Sequence, residues 1–207
     1  MKKVAIDIDF VLRDWVTALI TTYQKQIDDT WNEEIKDLDK IWEYFKFPVY
    51  TLSEGMTEDP DVMEHITVVD ESKDYEVNRN LFNNFVADNL LEIFGHAKET
   101  IPNGMLQINR LRIEQPEWQV TLFAKGKGKL IPATLFFLSK VACEIKDIKF
   151  IDHYFDLKEF DTVVSGSTQL AEVPELGEYV LFATPYNEEE KGYNTKITTI
   201  TELYGLQ

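Results

Sequence analysis

Cysteine is nearly missing from this 207-residue chain: Cys143 stands alone, so neither a disulfide framework nor a cysteine-rich zinc site can form within it. Set in an apolar stretch, Cys143 reads as a small buried hydrophobe and not as a nucleophile. Histidine is almost as scarce. His65, His96 and His153 are dispersed and lack the one-turn spacing that a helical pair of metal ligands needs. Positive charge is also short, with 21 basic against 37 acidic residues, a net charge of -16 and a pI near 4.6. That balance disfavours sequence-independent binding to nucleic acid or to an anionic membrane, and it obliges any phosphate site to carry its own local cation. No apolar run is long enough for export or for a bilayer crossing, so a cytoplasmic protein without membrane partners is expected. A serine-centred elbow, a dinucleotide glycine fingerprint, a P-loop, internal repeats and low-complexity tracts are absent as well.

What is present is a composition that folds: 44% hydrophobic and 13% aromatic residues, on a length that suits one domain with an insertion or two small ones. The organising stretch is the N-terminus. Val4-Ala5-Ile6 reads as a buried central strand that ends in two carboxylates, Asp7 and Asp9. Residues two apart leave a strand on one face, so both acids emerge together beyond its carboxyl end, where open α/β sheets bind ligands. Two acids so close repel, and a cation or a shared proton must offset them. An isolated Asp-x-Asp is more often a turn that caps the next helix. A hydrophobic strand before it and Phe10-Val11-Leu12 with a helix after it make the signal more specific.

Val4-Ala-Ile-Asp7-Ile-Asp9-Phe-Val-Leu12 resembles the first motif of the haloacid-dehalogenase-like (HAD) hydrolases. Arg13-Asp14 resembles its continuation in their deoxyribonucleotidase-like branch, phage-encoded members included. The resemblance implies Asp7 as nucleophile toward a phosphate ester, forming an aspartyl-phosphate, and Asp9 as general acid/base. It further implies magnesium as cofactor, held by Asp7, by the backbone carbonyl of Asp9 and by an acid far downstream. The implied ligand is a small phosphorylated metabolite or a nucleotide, met in the cytoplasm, which is the host's if the chain is phage-encoded.

Downstream, Trp15, Val16, Leu19, Ile20, Tyr23 and Ile27 recur at helical spacing, with Asp14 at the N-cap, and predict a helix to about Asp28. Leu38, Ile41, Trp42 and Phe45 predict a second helix that Pro48 closes. From Val49 to Asp74 turns and one short helix are expected. A third helix is predicted from Tyr75 to Phe94, split near Asp88-Asn89 and ended by Gly95. The nearly all-helical stretch 14–97 thus reads as an insertion after the first strand. In the family such an insertion caps the active site, and an ordinary helical subdomain is the even alternative.

Strand and helix alternate only afterwards. A helix opens at Pro102 and stops at Pro116; Trp118–Phe123 is a strand; Pro132 to about Val141 is a helix. Ile148–Ile151, Asp161–Val164 and Tyr179–Phe182 are three more strands, and Thr198–Leu206 a closing helix. The expected fold is therefore α/β, a doubly wound, Rossmann-like parallel sheet of about five strands formed by 1–13 and 98–207, with 14–97 as helical cap.

Three further family elements can be sought. Where a hydroxyl donor to the phosphoryl group is expected, at the end of the Trp118 strand, stands Ala124, with Thr121 three residues early; losing one such donor is worth roughly 2–4 kcal/mol of transition-state stabilisation. The expected phosphate-neutralising lysine has candidates in Lys125-Gly-Lys127-Gly-Lys129, of which Lys129 lies nearest the helix start and Lys125 and Lys127 are substrate-binding candidates, as is Arg13. A salt bridge from Arg13 to Asp14 or to another acid of the insertion is the stronger expectation. After Phe160–Val164 comes Ser165-Gly-Ser-Thr168, with Gly166 where the last magnesium-binding acid is expected. Asp161 is at the wrong end, and Asp152 reaches only in a different register. Val180–Asn187 resembles the end of the phage deoxyribonucleotidase-like sequences. Two functions stand: a magnesium-dependent phosphatase of small phosphomonoesters, or a HAD-fold protein without turnover that binds a protein partner or serves a structural role, for example in a phage.

Overall fold

The computed structural model describes residues 1–47, 74–126, 128–187, 193 and 195–205. The expectation for 49–73 lies outside them. Val4, Ala5 and Ile6 are wholly buried, as an apolar strand covered on both faces must be, and form the middle of β1 (Lys2–Asp7). Parallel neighbours flank it on both sides in a six-stranded sheet of order β5-β4-β1-β6-β7-β8. The remaining strands are β4 (Trp118–Lys125), β5 (Ile148–Ile151), β6 (Thr162–Ser165), β7 (Glu178–Phe182) and β8 (Thr195–Ile197). All five pairings are parallel, with Ile6 opposite Leu122 on one side and Val164 on the other. The α/β parallel sheet is as expected, with one strand more: β8 is three residues long, too short to show a period.

Strand order reverses at β1. From there the chain runs outward through β4 and β5, then returns to β6 and continues through β7 and β8. This is the switch point at which such sheets open a crevice.

Alternation along each strand sorts side chains onto two faces. Val4, Ile6, Leu122, Ala124, Val164 and Val180 meet α3 (Gly104–Glu114) and α4 (Leu130–Lys140) through Met105, Ile108, Leu111, Phe137 and Leu138. Ala5, Phe123 and Val163 lie on the other face, against Leu157 and Leu170 of two short 3-10 turns. The chain closes on another 3-10 turn, Ile200–Gly205, in place of the helix that the sequence predicts over 198–206; Ile200 and Leu203 anchor it in the core.

Between β1 and the first long helix the chain makes one π-helical turn, Ile8–Leu12, and a two-residue strand, β2 (Arg13–Asp14). β2 pairs antiparallel with β3 (Lys98–Glu99), so the chain leaves for the helical region and returns from it side by side. That region has its own core. Helix α1 (Trp15–Gln26) starts where Asp14 accepts a hydrogen bond from Thr17 N at 3.1 Å, and ends two residues before the expected Asp28. Tyr23 on its buried face is ringed by Phe45, Phe47, Phe85 and Trp31 at 4.9–6.2 Å between ring centroids.

The second helix expected over 38–45 is one 3-10 turn, Ile41–Tyr44. Its backbone polar groups are satisfied by side chains instead: Trp31 Nε1 donates to Tyr44 O at 2.8 Å, and Asn78 Nδ2 to Phe45 O at 2.9 Å. The third helix is split near the expected place, into α2 (Asp74–Asp88) and a π-helical turn, Leu91–Gly95. No described helix is long and apolar enough to cross a membrane.

Candidate active site

Asp7 is the last residue of β1 and is 2% exposed. Each of its carboxylate oxygens accepts one hydrogen bond. Oδ1 accepts from Asp9 N at 2.9 Å, and Oδ2 accepts from the Ser165 hydroxyl at 2.6 Å. Because β1 and β6 are parallel neighbours in register, the ends of the two strands bring Asp7 and Ser165 together across 158 residues of sequence. Burial raises the Asp7 carboxyl most and the charge of Asp9 raises it further, against Ser165, the Asp9 amide and Arg13; the result is about 7.

The π-helical turn carries Asp9 back toward Arg13, four residues on, and Arg13 Nη2 donates to Asp9 Oδ1. Arg13 is 1% exposed. Its Nη1 donates to Thr134 Oγ1 at 3.1 Å and to Phe94 O at 3.3 Å, and the guanidinium carbon lies 4.9 Å from the Phe94 ring centroid and 5.5 Å from that of Phe137. Its ion-pair partner is thus Asp9, whereas Asp14 is engaged as the α1 cap. The Arg13 guanidinium thus bonds to Asp9, Thr134 and Phe94 O, and Arg13 and Asp9 line a small cavity of about 130 Å³.

A second tier fixes Ser165. Its Oγ accepts from Ser167 N at 3.0 Å, Tyr154 OH donates to Ser167 Oγ at 3.1 Å, and Tyr179 OH donates to Ser167 O at 2.7 Å. Burial, with the nearby Asp7 charge, pushes the Tyr154 hydroxyl well above the ordinary phenol range, and burial does the same to Tyr179, so both remain donors. Asn187 closes the other side, accepting from Thr184 N at 2.7 Å and donating to Gly166 O at 2.8 Å and to Phe182 O at 2.9 Å.

Beside this cluster a cleft of about 720 Å³ is lined by Lys125, His153, Tyr154, Gln169 and Asp39 among others. A second, of about 360 Å³, is lined by Phe10, Lys36, Asp39, Gly166 and Ser167. Asp39, from the helical region, spans the edge of both and accepts from Gln169 Nε2 at 2.6 Å. Of the lysine candidates, Lys125 stands in the first cleft with Nζ 4.4 Å from the Tyr154 ring centroid. Lys129 is exposed at the N-cap of α4, and Lys127 lies outside the described residues. Ala124 packs into the core on the face opposite Phe123, so it offers no donor and does not point toward the Asp7 face; Thr121 has the right face but sits inside the sheet opposite Ala5.

Magnesium fits these residues poorly. Among the described residues no group of three or more His, Cys, Asp or Glu side chains could hold a metal. Asp161 accepts from Lys3 N at 2.7 Å at the amino end of the sheet, and Asp152 lies exposed in the turn after β5, where its amide donates to Asp156. A side chain at Gly166, where the missing acid is expected, would also be tightly placed. A Cβ on Gly166 would lie 3.0 Å from Phe10 Cβ, 3.1 Å from Thr184 Cγ2 and 3.3 Å from Phe182 O.

Sequence reasoning passes over Ser165, Tyr154, Tyr179, Asn187 and Thr134 as site residues. Only Ser165 carries a local sign, its position beside the glycine that replaces an expected acid.

No known family profile matches the chain, and no curated protein does. Solved structures match over nearly the full length. A candidate beta-phosphoglucomutase of Thermotoga maritima is 15% identical, with all of both chains covered and a TM-score of 0.57. A candidate HAD-hydrolase of Bacillus subtilis, YfnB, bound to magnesium, is 14% identical over 99% of this chain and 97% of its own, with a TM-score of 0.54. A HAD family hydrolase of Deinococcus radiodurans with bound phosphate and sodium is 16% identical over 98% and 93%, with a TM-score of 0.52. At such identities the likeness is one of fold. The chain has the HAD-like α/β fold.

Proposed function

We propose that this HAD-fold chain hydrolyses a small phosphomonoester, nucleotides among the candidates, with Asp7 as the attacking group. One observation carries the reading: a carboxylate pair at the carboxyl end of the central strand, at the switch point, with Asp9 lining a small cavity and Lys125 in a larger cleft that Tyr154 shares. In the reaction Asp9 first takes a proton from solvent or from the incoming phosphate, an Asp7 oxygen then bonds to phosphorus while the bond to the leaving oxygen breaks, and Asp9 passes its proton to that oxygen. Water then attacks the aspartyl-phosphate, Asp9 takes its proton, and phosphate leaves with Asp7 restored. Lys125 supplies the cation that a phosphate needs in so acidic a chain.

Attack requires Asp7 ionised, so turnover rises as the pH climbs through about 7. It also requires Asp7 uncovered. We take the region 14–97 as a cap, with the Asp39–Gln169 hydrogen bond among its closing contacts. Without an oriented hydroxyl at the end of β4, the transition state loses roughly 2–4 kcal/mol, or about 30- to 1,000-fold in rate. The slow-hydrolase reading, with kinship to the deoxyribonucleotidase-like branch and its phage members, is supported by Arg13-Asp14 and Val180–Asn187.

A second reading has its own observation. Ser165 donates to Asp7 Oδ2, and glycine stands at 166 where an acid is expected, as in a HAD-fold protein that binds a ligand or protein partner without turnover. A panel of phosphomonoesters, with and without MgCl2, on the native chain and on Asp7→Asn decides between them. Phosphate release by the first and none by the second supports hydrolysis. Silence from both supports binding.

A further inference from the structure

We propose that Arg13 is the resident counter-cation of the Asp7–Asp9 pair, filling with a guanidinium the electrostatic role that a divalent metal would otherwise have, and that the site is built to stand without magnesium. The inference is independent of whether Asp7 turns a substrate over.

Three sets of contacts support it. First, the cation is built in. In a chain of net charge -16, Arg13 is fully enclosed, ion-paired to Asp9, bonded to Thr134 on α4 and to Phe94 O, and faced by two aromatic rings. A buried charge without such partners would cost several kcal/mol. With them, the positive charge is fixed beside the acids by β2, α4 and the 91–95 turn together. Second, each Asp7 oxygen already accepts a hydrogen bond, one from the Asp9 amide and one from the Ser165 hydroxyl, and Ser165 is itself fixed by Ser167 N. Third, the position past β6 from which another acid would reach the pair is a glycine, and a Cβ there would crowd Phe10 Cβ at 3.0 Å and Thr184 Cγ2 at 3.1 Å. Magnesium keeps octahedral geometry and several waters and relies on carboxylates for its protein contacts. Here Asp9 already has an internal cation, and Asp7 already has two neutral donors.

The experiment compares thermal melting and calorimetric titration of the full chain in EDTA and in 10 mM MgCl2, with NaCl at matched ionic strength as control. The native chain is expected to melt within about 1 °C in the two conditions and to give no saturable heat. Arg13→Gln, which leaves the acids uncompensated, is expected to gain a magnesium-dependent rise in melting temperature of several degrees. Saturable sub-millimolar binding by the native chain that Asp7→Asn abolishes overturns the proposal, as does a folded Arg13→Gln chain indifferent to magnesium. If Arg13→Gln does not fold, Arg13→Lys carries the comparison: it keeps the charge and is expected to ignore magnesium, and a magnesium response from it refutes the assignment.

Discussion

Replacing Asp7 by asparagine is expected to stabilise the protein, and to do so only where the carboxyl would be ionised. In the folded chain this group titrates at about 7 against an ordinary 3.8, first because it is buried and second because Asp9 is charged beside it. A folded-state value above the unfolded one means that the folded chain holds the proton more tightly. Stability from this group is therefore complete below about pH 3.8, falls through the acid range, and is lost once pH passes 7. At 1.36 kcal/mol per decade, ionised Asp7 costs about 4 kcal/mol at pH 8 and under about 1 kcal/mol at pH 4. An amide of the same shape removes the charge and keeps the contacts. Its oxygen accepts from Asp9 N, and its NH2 donates to Ser165 Oγ, whose own hydrogen turns away.

For a chain of this size 1 kcal/mol moves the melting temperature by about 2–4 °C, so the expected gain is roughly 8–16 °C at pH 8 and at most about 2–4 °C at pH 4. Circular-dichroism melts of both proteins from pH 4 to 8 measure it. An equal gain at both ends of the range, or a loss at pH 8, refutes the reasoning that Asp7 is a buried, strained charge.

Three other substitutions have consequences that follow from single contacts. Asn187→Ala removes three buried hydrogen bonds, to Thr184 N, Gly166 O and Phe182 O, and is expected to cost about 2–4 kcal/mol in urea unfolding, with faster amide exchange around Gly166. Gly177→Ala puts a Cβ 2.4 Å from Phe160 O and 2.5 Å from Asp161 O, backbone atoms that cannot swing aside; a loss of at least about 2 kcal/mol is expected, and an unchanged urea midpoint contradicts the packing described. Arg13→Gln leaves Asp9 without its ion pair and is expected to lose about 3–5 kcal/mol in magnesium-free buffer.

The sheet is legible where strands are long and apolar. Val4-Ala-Ile announces β1, and Trp118–Phe123 and Tyr179–Phe182 announce β4 and β7 because β-branched and aromatic residues crowd there. β8 and the 3-10 turn at Ile41–Tyr44 are not legible as such. The first is too short, and the second follows helical spacing while its backbone is held by Asn78 and Trp31 from elsewhere in the chain. The acids Asp7 and Asp9 stand out because they follow the central strand directly. Ser165 does not, since its bond to Asp7 depends on the β1–β6 register, which nothing within either strand encodes. Arg13 is visible as a charged residue, but its partner is not: Asp14 is its neighbour in sequence, yet in the extended pair β2 adjacent side chains diverge, and the π-helical turn at Ile8–Leu12 brings Asp9 to it instead.

The claim on which the functional account rests is that Asp7 accepts a phosphoryl group. Brief incubation of the native chain with a reactive phosphomonoester, an acid quench and peptide mass mapping test it directly. The account predicts the added mass of one phosphoryl group on the peptide that contains Asp7 and none in Asp7→Asn. Phosphate release that survives Asp7→Asn, or a native chain with neither label nor release, contradicts it.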